Sequence, residues 1–121
     1  MATEARETAG LIGSDKVEGT AVYDAKGEKI GSIERVMIGK VSGQVAYAVL
    51  QFGGFLGIGS DYYPIPWDSL KYDTSLGGYR LNITEEQVKN APKYSGENWD
   101  WEDRARGRQV YDYYGASWSE Y

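Results

Sequence analysis

The side chains that carry most enzyme chemistry near neutral pH are missing from this chain of 121 residues, which contains no cysteine and no histidine. Without cysteine there is no thiolate nucleophile, no disulfide and no thiolate ligand for zinc. Without histidine, the commonest general base and the commonest metal ligand are missing as well. Serine–histidine–aspartate catalysis is therefore excluded. We predict that the protein is not an enzyme, and we expect no catalytic residue, no cofactor and no metal.

Two groups of neighbouring acids come nearest to a catalytic pair. Glu85 and Glu86 are adjacent at the start of a predicted helix, and Asp100 is followed by Glu102 and Asp103. Adjacent carboxylates on a helix do not face one another, so they cannot share a proton in acid–base catalysis. We interpret both groups as solvent-facing charges or as partners of a helix dipole.

Residues 53–60 form a glycine-rich segment that invites comparison with a phosphate-binding loop. The segment lacks the Gly-Lys-Ser/Thr ending of a P-loop, and it leads into a predicted strand where a helix N-terminus would be needed. We interpret it as a glycine-permitted loop whose apolar side chains either fill the core or form an exposed contact patch. Phe55 and Leu56 are candidate partner contacts within it.

The overall charge argues against nucleic acid and anionic membranes as the main partners. Thirteen Lys and Arg against eighteen Asp and Glu give a net charge of -5, whereas both partners require a surplus of positive charge. Arg104, Arg106 and Arg108 follow Trp99 and Trp101, and interleaved arginines and aromatic residues can bind single-stranded nucleic acid. Because acids flank these arginines, we interpret them as members of intrahelical ion pairs.

The hydropathy pattern predicts no membrane insertion. The longest apolar stretches are interrupted by glycine or polar residues within a few positions, so none could span a bilayer. Residues 1–8 lack the basic start and the apolar stretch of a signal peptide. We therefore expect a cytoplasmic protein.

Three zones follow one another along the chain. Residues 1–14 are polar, and we expect a flexible N-terminal segment. Residues 15–92 alternate short apolar runs with glycine-containing turns, which is typical of a small all-β domain. Residues 93–121 form a C-terminal extension that is dense in aromatic residues.

Local signals place several elements within this outline. Asp24 and Gly27 have the spacing of a hairpin turn with a bulge. Thr84 and Gln87 fit a capping box at the start of a short helix that ends before Pro92. Residues 30–38 show apolar spacing compatible with either a helix or a strand, and we favour a strand with a kink near Gly31. A second helix is predicted over residues 101–114, with Trp101, Ala105 and Arg108 on one face.

The strand predicted over residues 45–52 is apolar on both faces, because Tyr47 alternates with Ala48 and Leu50. Such a strand must be covered on two sides. One cover is the interior of the domain, and the other is either the aromatic extension or a second copy of the chain.

The aromatic extension is too apolar for a solvated terminus, since its last 28 residues contain eight Trp or Tyr. These side chains either pack over the domain as an intramolecular lid or anchor a partner. A homodimer would satisfy both interpretations, and we expect one. The candidate partner contacts outside the glycine-rich segment are Trp67, Trp101, Tyr113, Tyr114 and Trp118.

An ordered series of motifs resembles the PRC-barrel family, which is named for the cytoplasmic domain of the photosynthetic reaction-centre H subunit. These motifs lie at Val22–Gly27, Ile30–Ile33, Gly43–Leu50, Phe52–Gly59 and Pro64–Trp67. The extension also resembles that of small stand-alone bacterial members, through Tyr113-Tyr114-Gly115 and Trp118.

The resemblance implies a mainly β fold, namely a small, partly open PRC-type β-barrel with a short helix after its last strand and an aromatic-rich, helical extension. It also implies a non-enzymatic interaction or assembly module with an unidentified protein partner. The family brings no catalytic residues. The alternative function is a small-ligand carrier with an aromatic pocket lined by Tyr62, Tyr63 and Trp67.

Overall fold

A computed structural model of the chain describes residues 7–51, 61–95 and 99–118. The described strands are β1 (Ala21–Tyr23), β2 (Lys29–Ile38), β3 (Val45–Gln51), β4 (Asp61–Pro66), β5 (Leu70–Asp73), β6 (Gly78–Leu81) and β7 (Tyr94–Ser95). The described α-helices are α1 (Ser14–Val17), α2 (Glu85–Lys89) and α3 (Arg104–Tyr114), and a 3-10 turn at Trp67–Ser69 joins β4 to β5.

The seven strands form a single sheet in the order β5-β6-β1-β2-β3-β4-β7. Neighbouring strands are antiparallel except β1 and β6, which run parallel. The outermost strands, β5 and β7, do not pair with each other within the described residues, so the sheet is not closed into a barrel. The predicted fold class, mainly β with a short helix after the strands of the domain and a helical extension, is confirmed.

One apolar cluster, the main core, lies inside the curve of the sheet. It receives side chains from each of the strands β1 to β6, so the sheet wraps around a common interior. Val17 of α1 and Val88 of α2 also join this core. Burying an aliphatic side chain of this size contributes about 1.5–3 kcal/mol. The most completely buried residues of the main core include Val22, Ile33, Leu50, Ile65 and Leu81.

The predicted turn chemistry after β1 is confirmed. One carboxylate oxygen of Asp24 accepts hydrogen bonds from the backbone amides of Lys26 (2.9 Å) and Glu28 (3.0 Å). Gly27 has a φ of +83°, which costs glycine little and a residue with a side chain much more. Asp24 is buried, and backbone amides satisfy its carboxylate, so its role here is to fix the turn.

The capping box at the start of α2 is also confirmed. The Thr84 hydroxyl accepts from the Gln87 amide at 3.1 Å, and the Gln87 side-chain oxygen accepts from the Thr84 amide at 2.8 Å. Two amides that the helix itself cannot satisfy therefore find partners. The short helix places Val88 in the main core.

The ambiguous spacing of residues 30–38 is explained by a β-bulge. Val22 pairs with Gly31 and Tyr23 pairs with Lys29, which leaves Ile30 as an extra residue on β2. An extra residue reverses the alternation of faces, and this is why Ile30 and Ile33, three positions apart, both reach the main core. The predicted strand is confirmed, with its change of face one residue before Gly31.

The two prolines of β4, Pro64 and Pro66, occupy positions where one side of the strand has no partner strand among the described residues. β7 pairs only with Asp61 and Tyr62, so Pro64 and Pro66 lie beyond that pairing. Within the described residues they pair with β3 on one side alone. Proline cannot donate a hydrogen bond to a neighbouring strand, and no strand among the described residues lies on the outer side of this half of β4.

The described part of the N-terminal segment contacts the sheet through Glu7, whose carboxylate accepts from the Tyr72 hydroxyl (2.7 Å) and pairs with Lys16 (3.2 Å). Ile12 packs against the main core, whereas Leu11 is 76% exposed. Leu11 therefore offers an exposed apolar side chain with no role in the core.

Candidate interaction surface

Tyr47 is the centre of a second apolar cluster, the outer cluster, on the face of β3 opposite the main core. Its side chain is buried, and its ring meets the rings of Trp101 (5.3 Å between centroids) and Tyr111 (5.4 Å) edge to face. The Tyr111 hydroxyl donates to the Ala46 carbonyl at 2.8 Å. The second cover that the sequence predicts for β3 is therefore the extension of the same chain.

Gly107, in the middle of α3, is required by space. A Cβ atom at this position would lie 2.5 Å from the Trp118 ring and 2.9 Å from the Tyr47 hydroxyl. After the helix, Gly115 adopts a φ of +69° and reverses the chain, which brings Trp118 back over Gly107. A glycine inside a helix costs roughly 0.5–1 kcal/mol, and here the close contact of Trp118 with the helix backbone offsets that cost.

The extension helix begins three residues later than predicted. Asp103 caps it by accepting from the Arg106 amide at 3.2 Å, and α3 starts at Arg104. The prediction that Trp101 shares a helix face with Ala105 and Arg108 was therefore wrong, because Trp101 precedes the helix.

Part of the basic cluster is used within the extension. Arg106 lies 3.9 Å from the Asp103 carboxylate, and its guanidinium stands over the Trp99 ring at 5.3 Å. The ion pair within the helix start agrees with the interpretation of these arginines as partners of neighbouring acids.

A ladder of aromatic rings links the extension to the sheet edge. The Tyr94 ring of β7 lies 5.4 Å from Tyr62 and 5.5 Å from Trp99. Burial raises the pKa of Tyr94 above that of a free phenol. Burial also raises the pKa of Tyr114, whose hydroxyl is enclosed between the two clusters and has no hydrogen-bond partner within the described residues.

Five other described groups have clearly shifted pKa values, which are raised for the tyrosines and lowered for the carboxyls. Desolvation raises the pKa of Tyr63 and Tyr79, and the hydrogen bond to Glu7 raises that of Tyr72. The pKa of Glu7 is lowered by the hydrogen bond from Tyr72, and that of Asp73 by the hydroxyl of Ser75. Phenols shifted upward and carboxyls shifted downward are poorer acid–base catalysts near neutral pH.

A groove with a volume of about 710 Å³ separates the β2–β3 turn from the extension. We call it the hairpin–tail groove. Its described lining residues are Met37, Ile38, Gly39, Lys40, Val41, Ala46, Tyr47, Trp101, Glu102, Arg104 and Trp118.

The end of β2 and the β2–β3 turn have solvent-exposed apolar side chains beside this groove. Val41 is 99% exposed and Ile38 is 51% exposed. The two partly buried indoles of Trp101 and Trp118 line the groove as well. Exposed apolar side chains and aromatic rings in one contiguous place are typical of a protein-contact surface.

The five predicted partner contacts that the structure describes fall into four places. Trp101 and Trp118 line the groove, while Tyr114 packs inside the chain. Tyr113 is exposed, and its hydroxyl donates to the Gln87 carbonyl. Trp67 packs on Tyr79 with ring centroids 5.2 Å apart. Phe55 and Leu56 lie outside the described residues, and the partner role of all seven stays a prediction.

Sequence reasoning missed Ile38 and Val41. A signal was available, because a valine occupies the turn between Gly39 and Gly43, where polar residues are usual. An apolar side chain that the hairpin leaves in solvent has no role in the core.

Within the described residues, the three side chains predicted to line an aromatic ligand pocket do not all lie on the same face of the sheet. Tyr63 is buried in the main core, whereas its neighbour Tyr62 contacts Tyr94. Successive residues of a strand point to opposite faces, so these two rings diverge. Trp67 lies against Tyr79, at the end of β4.

The described residues contain neither a cluster of metal ligands nor a membrane-spanning helix. In residues 7–51, 61–95 and 99–118, no three carboxylates gather closely enough to hold a metal ion. No helix in this part of the chain has the length and apolar character needed to cross a bilayer.

Comparison with known proteins identifies the fold family. A search of curated proteins gave no match. The family model of the PRC-barrel domain matches residues 10–88, which is more than half of the chain and includes all of the strands β1 to β6. The chain therefore belongs to the PRC-barrel domain family.

Proposed function

We propose that the protein is a non-enzymatic interaction module that binds a second copy of itself through the hairpin–tail groove. The observation that carries the proposal is the exposed position of Val41, which projects from the β2–β3 turn beside a groove walled by two indoles. An apolar side chain so placed gains stability only when another surface covers it.

The composition of the groove supports a protein contact. Trp101 and Trp118 supply large rigid apolar area, and Lys40, Glu102 and Arg104 supply a charged rim. Interfaces commonly combine an aromatic centre with a polar rim, and tryptophan is enriched among the residues that dominate binding energy.

The chemistry of the ionisable groups supports a function without catalysis. Every clear pKa shift within the described residues moves the group away from neutrality, upward for tyrosines and downward for carboxyls. Catalytic acids and bases often have pKa values shifted toward neutrality, and none of these shifts is of that kind. The missing histidine and cysteine point the same way.

Replacing Val41 by Glu is expected to weaken self-association by at least about tenfold, because the change buries a charge in the contact. Sedimentation equilibrium over a range of micromolar concentrations measures the effect. Leu11→Glu is the matched control, since Leu11 is also exposed but lies on the N-terminal segment. Wild-type protein that stays monomeric throughout the range would contradict the proposal, as would equal effects of the two variants.

A small-ligand carrier is the second candidate, favoured by the size of the hairpin–tail groove. Sites for small molecules usually enclose about 300–1,000 Å³, and the groove has about 710 Å³ with aromatic walls. Native mass spectrometry of freshly purified protein is expected to show a retained ligand that Trp118→Ala releases. A spectrum with only the mass of the chain would count against this candidate.

A further inference from the structure

Three of the described residues that line the hairpin–tail groove are charged, and one of them, Arg104, already interacts within the chain. The other two, Lys40 and Glu102, have opposite charges and stand on the two sides of the groove. Lys40 belongs to the β2–β3 turn, and Glu102 belongs to the segment that leads into α3. Neither side chain makes a hydrogen bond or an ion pair with any other part of the chain that the structure describes. A cation and an anion thus flank the same apolar groove without neutralising each other.

This arrangement is self-complementary. In a dimer with a two-fold axis, a residue of one copy that contacts a second residue of its partner makes the same contact in reverse. A Lys40 that meets Glu102 of the other copy is therefore accompanied by a second, identical pair. The protruding turn and the neighbouring groove are complementary in the same way. Each copy has a turn that can enter the groove of the other and a groove that can receive the turn of the other.

The charges favour a second copy over a strongly charged partner. A highly acidic protein would confront Glu102, and a highly basic one would confront Lys40, and like charges brought together at an interface oppose binding. A second copy of the chain presents each charge with its opposite. Val41 of each copy then enters the groove between the β2–β3 turn and Trp118 of the other.

We propose that two copies associate about a two-fold axis with the β2–β3 turn of each in the hairpin–tail groove of the other, and that Lys40 pairs with Glu102 across the interface. This inference rests on the proposed function and specifies the geometry of its self-association. Pairs at the rim of an interface contribute modestly to affinity, but they set register and exclude wrong partners.

Charge reversal in separate chains tests the cross-pairing. Lys40→Glu alone places two like-charged contacts in every homodimer, and so does Glu102→Lys alone. We expect each variant to have a dissociation constant about tenfold higher than that of wild type. In a mixture of the two, one copy of each forms a heterodimer in which both contacts join opposite charges. The mixture is therefore expected to regain the affinity of the wild type.

The measurement is sedimentation equilibrium of each variant and of their equimolar mixture, with one variant isotopically labelled so that native mass spectrometry identifies the heterodimer. Circular dichroism and thermal unfolding of both variants establish that each is folded. As a control, Lys71→Glu reverses a charge that is exposed on β5, away from the groove, and this variant alone is expected to dimerise with the affinity of the wild type.

The outcomes separate this geometry from the proposed function. If wild-type protein dimerises and the mixture stays as weak as its components, the two-fold pairing is wrong while self-association stands. If Lys40→Glu and Glu102→Lys leave dimerisation unchanged, the pairing is equally overturned. A wild-type chain that remains monomeric refutes both proposals.

Discussion

Tyr47→Ala is expected to lower the free energy of unfolding by about 3–5 kcal/mol, the range measured for removal of large buried aromatic side chains. Tyr47 is 2% exposed and holds the outer cluster together through edge-to-face contacts with Trp101 and Tyr111. Its removal leaves a cavity between β3 and α3 that the helix backbone cannot fill. Since natural domains have only about 5–15 kcal/mol of stability, a large share would be lost.

Urea unfolding followed by circular dichroism measures this effect. Tyr113→Ala is the matched control, because it removes the same atoms from a side chain of α3 that is 42% exposed. A loss below about 1 kcal/mol for Tyr47→Ala, in the range of surface substitutions, would contradict the packing of the extension on β3.

The second large effect is expected at Gly78→Ala, with a loss of roughly 3 kcal/mol, at the upper end of the range for overpacking. A Cβ atom at Gly78 would lie 2.5 Å from the Ala21 carbonyl oxygen and 3.0 Å from the Tyr23 ring. The first neighbour is backbone, so relief requires β1 and β6 to separate. These two strands form the parallel pair that joins the halves of the sheet.

Gly10→Ala provides the comparison, because a Cβ atom at Gly10 has no neighbour within 4 Å among the described residues. We expect Gly10→Ala to leave the urea midpoint almost unchanged. Equal stability of the two variants would show that β6 has room for a side chain beside β1, and it would overturn the close approach of these strands.

The β domain was predictable because its signals are local. The turn at Asp24 and Gly27 and the capping box at Thr84 and Gln87 each depend on residues within four positions of one another. Short-range hydrogen bonds of this kind leave a direct mark on residue type and spacing. The apolar alternation around Tyr47 likewise indicated burial on two sides.

The elements that were missed depend on contacts distant in sequence. β7 is two residues long and exists because Tyr94 and Ser95 meet the start of β4, more than thirty positions earlier. The pairing gives no local pattern. Similarly, the exact place of the bulge at Ile30, one residue before the predicted kink, depends on how β2 pairs with β1.

The candidate surface was only half predictable. Aromatic composition marked Trp101 and Trp118, but nothing local indicates that a turn 60 or more positions earlier lies beside them. Gly107 illustrates the same difficulty. From sequence it is a weakness in a helix, whereas in three dimensions it is the flat surface on which the Trp118 ring lies.

The uneven distribution of indoles gives the molecule a built-in optical probe. Trp99, Trp101 and Trp118 all belong to the outer cluster, and Trp67 alone packs on the main core. Intrinsic emission from this protein therefore reports chiefly on whether α3 is seated against β3. Spectral changes on dilution, on adding a partner or on heating can be followed at the contact of interest without attaching a dye.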